Sequence, residues 1–443
     1  MITSRCALRL RGLLQPFSCP CHGLSKIESR SSANPQATKT PATFRSASTE
    51  SKAKIFGIET SCDDTGVAIL DTAGHILGES LFSQQELHSD FGGIIPPLAR
   101  DLHLENIQRA SDIALEKANM TLQDVDAIAV TNRPGLPLSL LVGLNHAKRL
   151  AASAKKPLIP IHHMEAHALT VRMVEKVEFP FLVLLISGGH SLVAVAQDVS
   201  KFLLLGSTFD DAPGEAFDKV ARRLKLRNLE EFTSMSGGQA IETAASRGDP
   251  TAFPIAEPLL HNKDCNFSFA GIKNSARSFI IQEEEKHGIE GDEVLPNVND
   301  LCASVQLAIT KHLCRRVGRA MEFVDRNNLL PNDRKSLVVS GGVACNGYIG
   351  RAMHYVGSRC GYNVFIPPRN LCTDNGVMIA WNGVEKWKAG LDIHPHDSLG
   401  SIDIESKCPL GKDIRAEVVS SCVRAPPLPV KELVDACNLK NCP

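Results

Sequence analysis

Phe181-Leu182-Val183-Leu184-Leu185-Ile186-Ser187-Gly188-Gly189-His190 decides the architecture, because the same device returns at Ser336-Leu337-Val338-Val339-Ser340-Gly341-Gly342-Val343. Each stretch opens as an apolar run bounded by turn residues, the pattern of a strand buried on both faces. Each closes in Ser-Gly-Gly. Glycines at a strand end let the backbone approach a ligand and expose consecutive N–H groups, which form a nest for an anion. A helix beginning after Gly342, near Asn346, would add its positive N-terminus. One Ser-Gly-Gly is a weak signal, since tight turns between strands need glycine anyway. Two of them, about one lobe apart, predict two related lobes with a nucleotide cleft between them.

The flanking sequence supports an α/β class. Lys54 to Leu70 reads as a hairpin with the polar tip Thr60-Ser61-Cys62-Asp63-Asp64-Thr65-Gly66. Leu102 to Lys117 has helical spacing, with Leu104, Ile107, Ala110, Ile113 and Ala114 on one side. Short apolar strands are expected at Ala127–Thr131, Leu158–Ile161 and Leu192–Ala196, and a helix over Leu138–Ala152. Arg227–Ser236 and Gln282–Asp300 read as surface insertions, the second carrying the acidic run Glu283-Glu284-Glu285. The segmentation is a leader at 1–50, an N-terminal lobe at 54–180, a C-terminal lobe at 181–395 and a tail at 396–443 that loses periodicity.

At 443 residues the chain has room for two domains. Its 43% hydrophobic and 22% charged content is ordinary for a globular protein. No apolar run reaches the length of a membrane span. Two Trp and three Tyr argue against broad stacking surfaces for single strands. The fourteen scattered cysteines, with no repeated Cys-x-x-Cys, read as mostly small buried apolar residues kept reduced. Residues 1–50 hold seven Lys or Arg, two Glu and no Asp, with Arg5, Arg9 and Arg11 among leucines. That is the composition of a mitochondrial transit peptide, placing the protein in the matrix; an unaddressed tail is the competing reading. The remainder carries 41 basic and 47 acidic residues, a net charge of −6. Nucleic-acid binding must then come from a local patch.

His163-Met164-Glu165-Ala166-His167 carries the chemistry. Side chains at i and i+4 share a helix face, and two imidazoles there suit a divalent metal. Asp374, in the polar turn Cys372-Thr373-Asp374-Asn375-Gly376, is the best third ligand. Two His and one carboxylate leave positions open for chemistry; the bland alternative is a capped or filled helix. The set fits Zn, Fe, Mn or Mg, one cation per subunit. A zinc protease would need Glu directly after the first His. Met164 stands there, and Glu165 lies roughly 200° around the helix. Near Asp210-Asp211-Ala212-Pro213-Gly214-Glu215-Ala216-Phe217-Asp218-Lys219, Asp211 is expected to cap a helix and Asp218 to meet ligand. Lys219, Arg222, Arg223, Lys225 and Arg227 could face RNA phosphates or simply solvent.

Read in order, Gly57-Ile58-Glu59-Thr60-Ser61-Cys62-Asp63-Asp64-Thr65, His163 to His167, Ser187 to His190, Gly214 to Lys219, Phe267-Ser268-Phe269 with Gly271, Ser340 to Val343 with Asn346, and Cys372 to Gly376 resemble the transferases of tRNA threonylcarbamoyladenosine synthesis. These were once classed as O-sialoglycoprotein endopeptidases. The resemblance spans about 54–390, and the leader suggests a mitochondrial member. It implies a two-lobed actin/Hsp70/sugar-kinase-like fold with ribonuclease H-like lobes and a central nucleotide cleft. It implies transfer of threonylcarbamoyl from threonylcarbamoyl-AMP, made by an upstream synthase, to N6 of adenosine 37 in the tRNA anticodon loop. The tRNAs would be mitochondrial ones reading codons that start with A, and AMP would be released. His163, His167 and Asp374 match the family's metal ligands. Leu185, Ile186, Ser187, Gly188, Gly189, Asp218, Gly238 and Asn346 match its adenylate contacts, and Asp63 takes a catalytic or metal-proximal place. Ala270 and Ile272 replace the usual Ser and Leu after Phe-Ser-Phe, and the segment before Gly238 is longer and lacks the usual Pro-Gly-Gly. A monomer or homodimer without a membrane span is expected. The rival readings are an ATP-binding chaperone or actin-like module and a metalloprotease.

Overall fold

Apolar strands bounded by polar turns build two mixed sheets in the computed structural model, which describes residues 52–91 and 93–438. The leader at 1–50 lies outside these residues. The first sheet holds β1 (Lys54–Glu59), β2 (Asp64–Asp71), β3 (Ile76–Ser83), β4 (Ala127–Arg133) and β5 (Leu158–His162), in the order β3-β2-β1-β4-β5. The second holds β6 (Phe181–Ile186), β7 (Ser191–Asp198), β8 (Lys201–Ser207), β9 (Ser336–Ser340), β10 (Asn363–Phe365) and β11 (Lys412–Asp413), in the order β10-β9-β6-β7-β8-β11. In each, the first strand pairs antiparallel with the second and parallel with the fourth. With β11 set aside, the two topologies are one: a ribonuclease H-like lobe occurring twice. This is the two-lobed actin/Hsp70/sugar-kinase-like architecture.

Helices flank the sheets: α1 (Gln85–Asp90), α2 (Pro96–Lys117), α3 (Pro137–Ala154), α4 (His163–Leu169) and α5 (Val171–Val174), then α6 (Pro213–Arg223), α7 (Gly237–Ala245), α8 (Ala270–His287), α9 (Val298–Arg326), α10 (Gly347–Cys360), α11 (Arg369–Cys372), α12 (Gly376–Ala389), α13 (Arg415–Ser420) and α14 (Val430–Asn438). Helix α2 starts earlier than its apolar spacing suggests, with proline at its first turn. Leu104 is 58% exposed, not inward. His103 takes the inner stripe, where Thr65 Oγ1 (2.7 Å) and the Cys62 carbonyl (3.0 Å) satisfy its ring.

Helix α9 is buried on nearly every side, as a central core helix must be. Its Arg316 and Arg319 are buried too, and they donate to the carbonyls of Leu259, Asn262 and Asp264. This fixes an irregular loop beside the core. The acidic run read as a solvated insertion is tied down instead: Arg223 and Lys225 pair with Glu284, joining α8 to α6.

Helix α12 packs on β1 and β2 of the first sheet. A division at residue 180 therefore omits the return of α12 to the first lobe. The contact is made backbone to backbone. A Cβ on Gly57 would lie 2.3 Å from Ala380 N, and one on Gly376 2.4 Å from the Val67 carbonyl carbon. The segment after 396 also docks, through single apolar residues without periodic spacing. Leu399 and Ile402 join the first core, and Val418, Leu433 and Cys437 the second. Strand β11 pairs with β8. Among the described residues no helix is long and apolar enough to cross a membrane.

Two outcomes follow from this packing. Gly57→Ala should lower stability by about 1–3 kcal/mol or more, because helix backbone must move. Gly400→Ala, where an added Cβ meets nothing within 4 Å, should be nearly neutral; urea titrations compare them. Second, burial and then Arg316 and Arg315 lower the His312 imidazole to about 3, and the ring accepts from Ser268 N at 3.1 Å. The unfolded chain takes up that proton near its ordinary value of about 6.5. Stability from neutral His312 is thus complete above about 6.5 and is lost as pH falls toward 3. The melting temperature should drop as pH falls from about 6.5 toward 4.5, and less steeply in His312→Gln.

Candidate functional site

The β5–α4 junction sets the first two groups. His162 caps α4, its ring accepting from Met164 N at 3.2 Å, so the helix begins at once with His163. His163 and His167 stack one turn apart, buried, with ring centroids 4.7 Å apart and planes at 89°. Asp374 arrives from the turn before α12, where Asn375 caps the helix by accepting from Met378 N at 2.8 Å. Its Oδ1 lies 3.0 Å from His167 Nε2 and 3.5 Å from His163 Nε2. One ligand atom from each residue falls within 4.8 Å of the others.

Behind the cluster stands a group that reading the sequence left without a role. Glu59, fully buried at the end of β1, accepts from Ser61 N and Thr131 Oγ1, each at 2.5 Å. Ser61 Oγ meets His163 Nδ1 at 3.0 Å, and Glu59 Oε2 lies 3.4 Å from the same nitrogen. Thus His163 is oriented from behind with Nε2 turned to Asp374. Metal-ligating histidines are held in this way, and the donor set fits a divalent cation. His167 Nδ1 is buried without a partner among the described residues.

Electrostatics agree. Burial alone would depress the His163 imidazole, but Asp374 and Glu59 outweigh it and raise the group to about 9. Burial would raise both carboxyls, yet His163 pulls Glu59 down, and His163 with His167 holds Asp374 far below the usual range. The cluster therefore favours cations. Burial and then His163 lower His190 to about 4, leaving it neutral 6.5 Å from the His163 ring. Glu165 sits elsewhere, 3.7 Å from buried Lys386, so no carboxylate occupies a protease-like position on the α4 face.

Asp63 lies in the turn that supplies Ser61. Burial raises its carboxyl, and the Asp374 charge adds to this. Neighbouring Asp64 is pushed up to about 7, by burial and then by the acids around it. The Ser-Gly-Gly turns lie at the ends of β6 and β9, neighbouring strands of the second sheet, and not one on each lobe as their repetition suggested. Ser187 N donates to the His190 carbonyl (2.8 Å), and His190 N to Ser187 Oγ (3.0 Å). A Cβ on Gly188, Gly189 or Gly238 would meet nothing within 4 Å, so these backbones face open space. Leu185 and Ile186 bury their side chains in the core and offer backbone only. Asn346 caps α10, accepting from Ile349 N at 3.1 Å and donating to Gln306 Oε1 at 3.0 Å. Asp218, raised by burial, takes hydrogen bonds from the Gly238 and Gly237 amides at the start of α7.

Two other expectations need correction. Asp211 caps nothing, since α6 has Ala212 at its cap; the carboxylate pairs with Lys219 (3.1 Å) and Lys273. The basic run is largely neutralised, with Lys219 on Asp211 and Glu215, and Arg223 and Lys225 on Glu284. These three side chains are therefore not simply solvated.

Comparison with known proteins agrees with this arrangement. The family model for tRNA N6-adenosine threonylcarbamoyltransferase matches residues 75–381. The human mitochondrial tRNA N6-adenosine threonylcarbamoyltransferase is 50% identical over 374 residues, covering 84% of this chain and 90% of that one. The zebrafish mitochondrial enzyme is 48% identical over 377 residues, covering 85% and 93%. The probable mitochondrial enzyme of Drosophila melanogaster is 44% identical over 375 residues, covering 84% and 92%. The chain therefore belongs to the tRNA N6-adenosine threonylcarbamoyltransferase family, and it is an acyltransferase that modifies the N6 amine of a tRNA adenosine.

Proposed function

We propose that the chain acts in the mitochondrial matrix on tRNAs that read codons starting with A. It takes the threonylcarbamoyl group from threonylcarbamoyl-AMP, supplied by a separate synthase, and joins it to N6 of adenosine 37. The N–C bond forms, the acyl–phosphate bond breaks, and AMP and a proton leave. The mitochondrial relatives support the address, as does the Arg-rich leader. The chain would work as a monomer or homodimer.

The observation that carries this reading is the convergence of His163, His167 and Asp374 beside open glycine turns. Those three residues would hold one divalent cation, whether Zn, Fe, Mn or Mg. When bound, it would supply Lewis-acid stabilisation of negative charge developing on the donor. The remaining work falls to positioning, because the N6 lone pair is conjugated into the ring and is a poor nucleophile. Backbone amides at Gly188 and Gly189 would cradle the adenylate, with Ser187 and Gly238 bounding the space and backbone from Leu185 and Ile186 behind them. Asp218 and Asn346 would fix its polar edges, and Asp63 would act at the cluster's edge. Glu59 and Ser61 would hold the His163 ring in register.

Two experiments test this. Residues 51–443 are incubated with unmodified tRNA, threonylcarbamoyl-AMP and each divalent metal, and the digested RNA is read by mass spectrometry. Threonylcarbamoyladenosine should form with the wild type and vanish in the His163→Ala/His167→Ala protein at unchanged circular dichroism; normal turnover by the folded variant would contradict the metal reading. Glu59→Gln should bind metal about 10–100-fold more weakly in a competitive chelator titration. Unchanged affinity would remove Glu59 from the site.

A further inference from the structure

Strand β8 ends at Ser207, and the next four residues form a braced corner at the rim of the second sheet. Thr208 N donates to the Ser191 carbonyl (2.8 Å), and Phe209 N to the Phe267 carbonyl (3.0 Å). Asp210 accepts from Phe269 N (2.8 Å) and Ser268 Oγ (2.6 Å), capping the entry to α8. Asp211 ties down Lys219 and Lys273. Just beyond, Gly214 N donates to the Ser187 carbonyl at 3.2 Å. The corner and Gly214 beyond it are thus bonded to the two ends of the Ser187–Ser191 turn. That turn carries His190, whose ring is 6.5 Å from His163.

Every residue of this corner is engaged except one side chain. Phe209 is 61% exposed, although its backbone is held. Among the described residues, Phe91 and Phe209 are the exposed aromatics, and Phe91 lies on the other lobe after α1. Phe209 thus presents an apolar ring to solvent from a fixed backbone, beside the Ser187–Ser191 turn. Arg277 stands further along α8, exposed and without an ion pair among the described residues. It lines a groove with Lys219, Lys273 and Asn274.

The acceptor accounts for both. An N6 amine cannot reach a buried cluster while its base is stacked in the loop, so the adenosine must be turned out. The neighbouring bases then lose a stacking partner. Single-stranded RNA is commonly held by stacking unstacked bases on aromatic side chains. We propose that Phe209 is the platform on which a base flanking the target adenosine stacks, with Arg277 meeting a phosphate of the same strand. The proposal rests on tRNA as acceptor. It adds a tRNA-positioning residue to the reaction, placed on the rim next to the Ser187–Ser191 turn.

The test uses residues 51–443 and the unmodified tRNA transcript. Phe209→Ala should raise KM for tRNA at least about fivefold and leave KM for threonylcarbamoyl-AMP within about twofold, and Phe209→Trp should restore the tRNA value. Arg277→Ala should reduce the slope of log affinity against log salt by about one. In Phe209→Trp, added tRNA should quench the new indole. A tRNA KM unchanged in Phe209→Ala, while the wild type modifies tRNA normally, would overturn the platform alone. An equal rise in both KM values would also overturn it, since Phe209 would then only shape the adenylate rim. A wild type that binds no tRNA would remove the acceptor reading itself.

Discussion

Helix α12 lies against β1 and β2 with almost no side chain between the backbones. Gly57 faces the amide of Ala380, Gly66 faces Gly376, and Gly376 faces Val67. A methyl group at any of these would push the helix off the sheet. The consequence is positional. Asp374 lies two residues before the start of α12, and α4 follows β5 of the same sheet. Close packing therefore brings a carboxylate from late in the chain over two histidines from its first half. The same packing holds β1 in place, and β1 ends in Glu59, which braces His163 from behind.

Charge explains why the cluster tolerates burial. Two carboxylates and two imidazoles in one small volume would be costly if left uncompensated. Without metal, a proton on His163 offsets part of the negative charge, which is why that group is raised to about 9. A divalent cation in the same place would compensate more fully, with His163 neutral and its ring already oriented by Ser61 and Glu59. Beyond the cluster, the second lobe alone supplies both Ser-Gly-Gly turns. Strands β6 and β9 are parallel neighbours in the second sheet, so their Ser-Gly-Gly ends emerge side by side. Gly341 has a positive φ of 97° and a Cβ there would lie 2.4 Å from the Ile186 carbonyl oxygen, whereas Gly188 and Gly189 border open space. One turn is glycine-rich for packing, and the other exposes its backbone.

Much of this was legible in the sequence because it rests on local periodicity. The apolar runs gave the strands, the i, i+4 spacing put His163 and His167 on one face, and the polar turn at 372–376 singled out Asp374. What escaped was set by tertiary partners. Asp211 looked like a cap from its place before α6, but Lys219 and Lys273 draw it away. Glu283-Glu284-Glu285 looked like a solvated face, and only the fold brings Arg223 to Glu284. His103 outranks Leu104 for the inner stripe of α2 because Thr65 and Cys62 wait there. Glu59 and Ser61 were visible within the motif, but nothing in spacing links them to His163. The docking of 399–438 uses isolated apolar residues, and a periodic pattern cannot report those.

Function depends most on His163, His167 and Asp374 holding one cation at the lobe junction. Crystals of metal-loaded protein, measured at the absorption edge of the bound metal, test this directly. An anomalous peak is expected between the Nε2 atoms of His163 and His167 and Asp374, with Ser61 and Glu59 still on His163 Nδ1. A peak elsewhere, or none beside these residues in protein that carries out transfer, would contradict it.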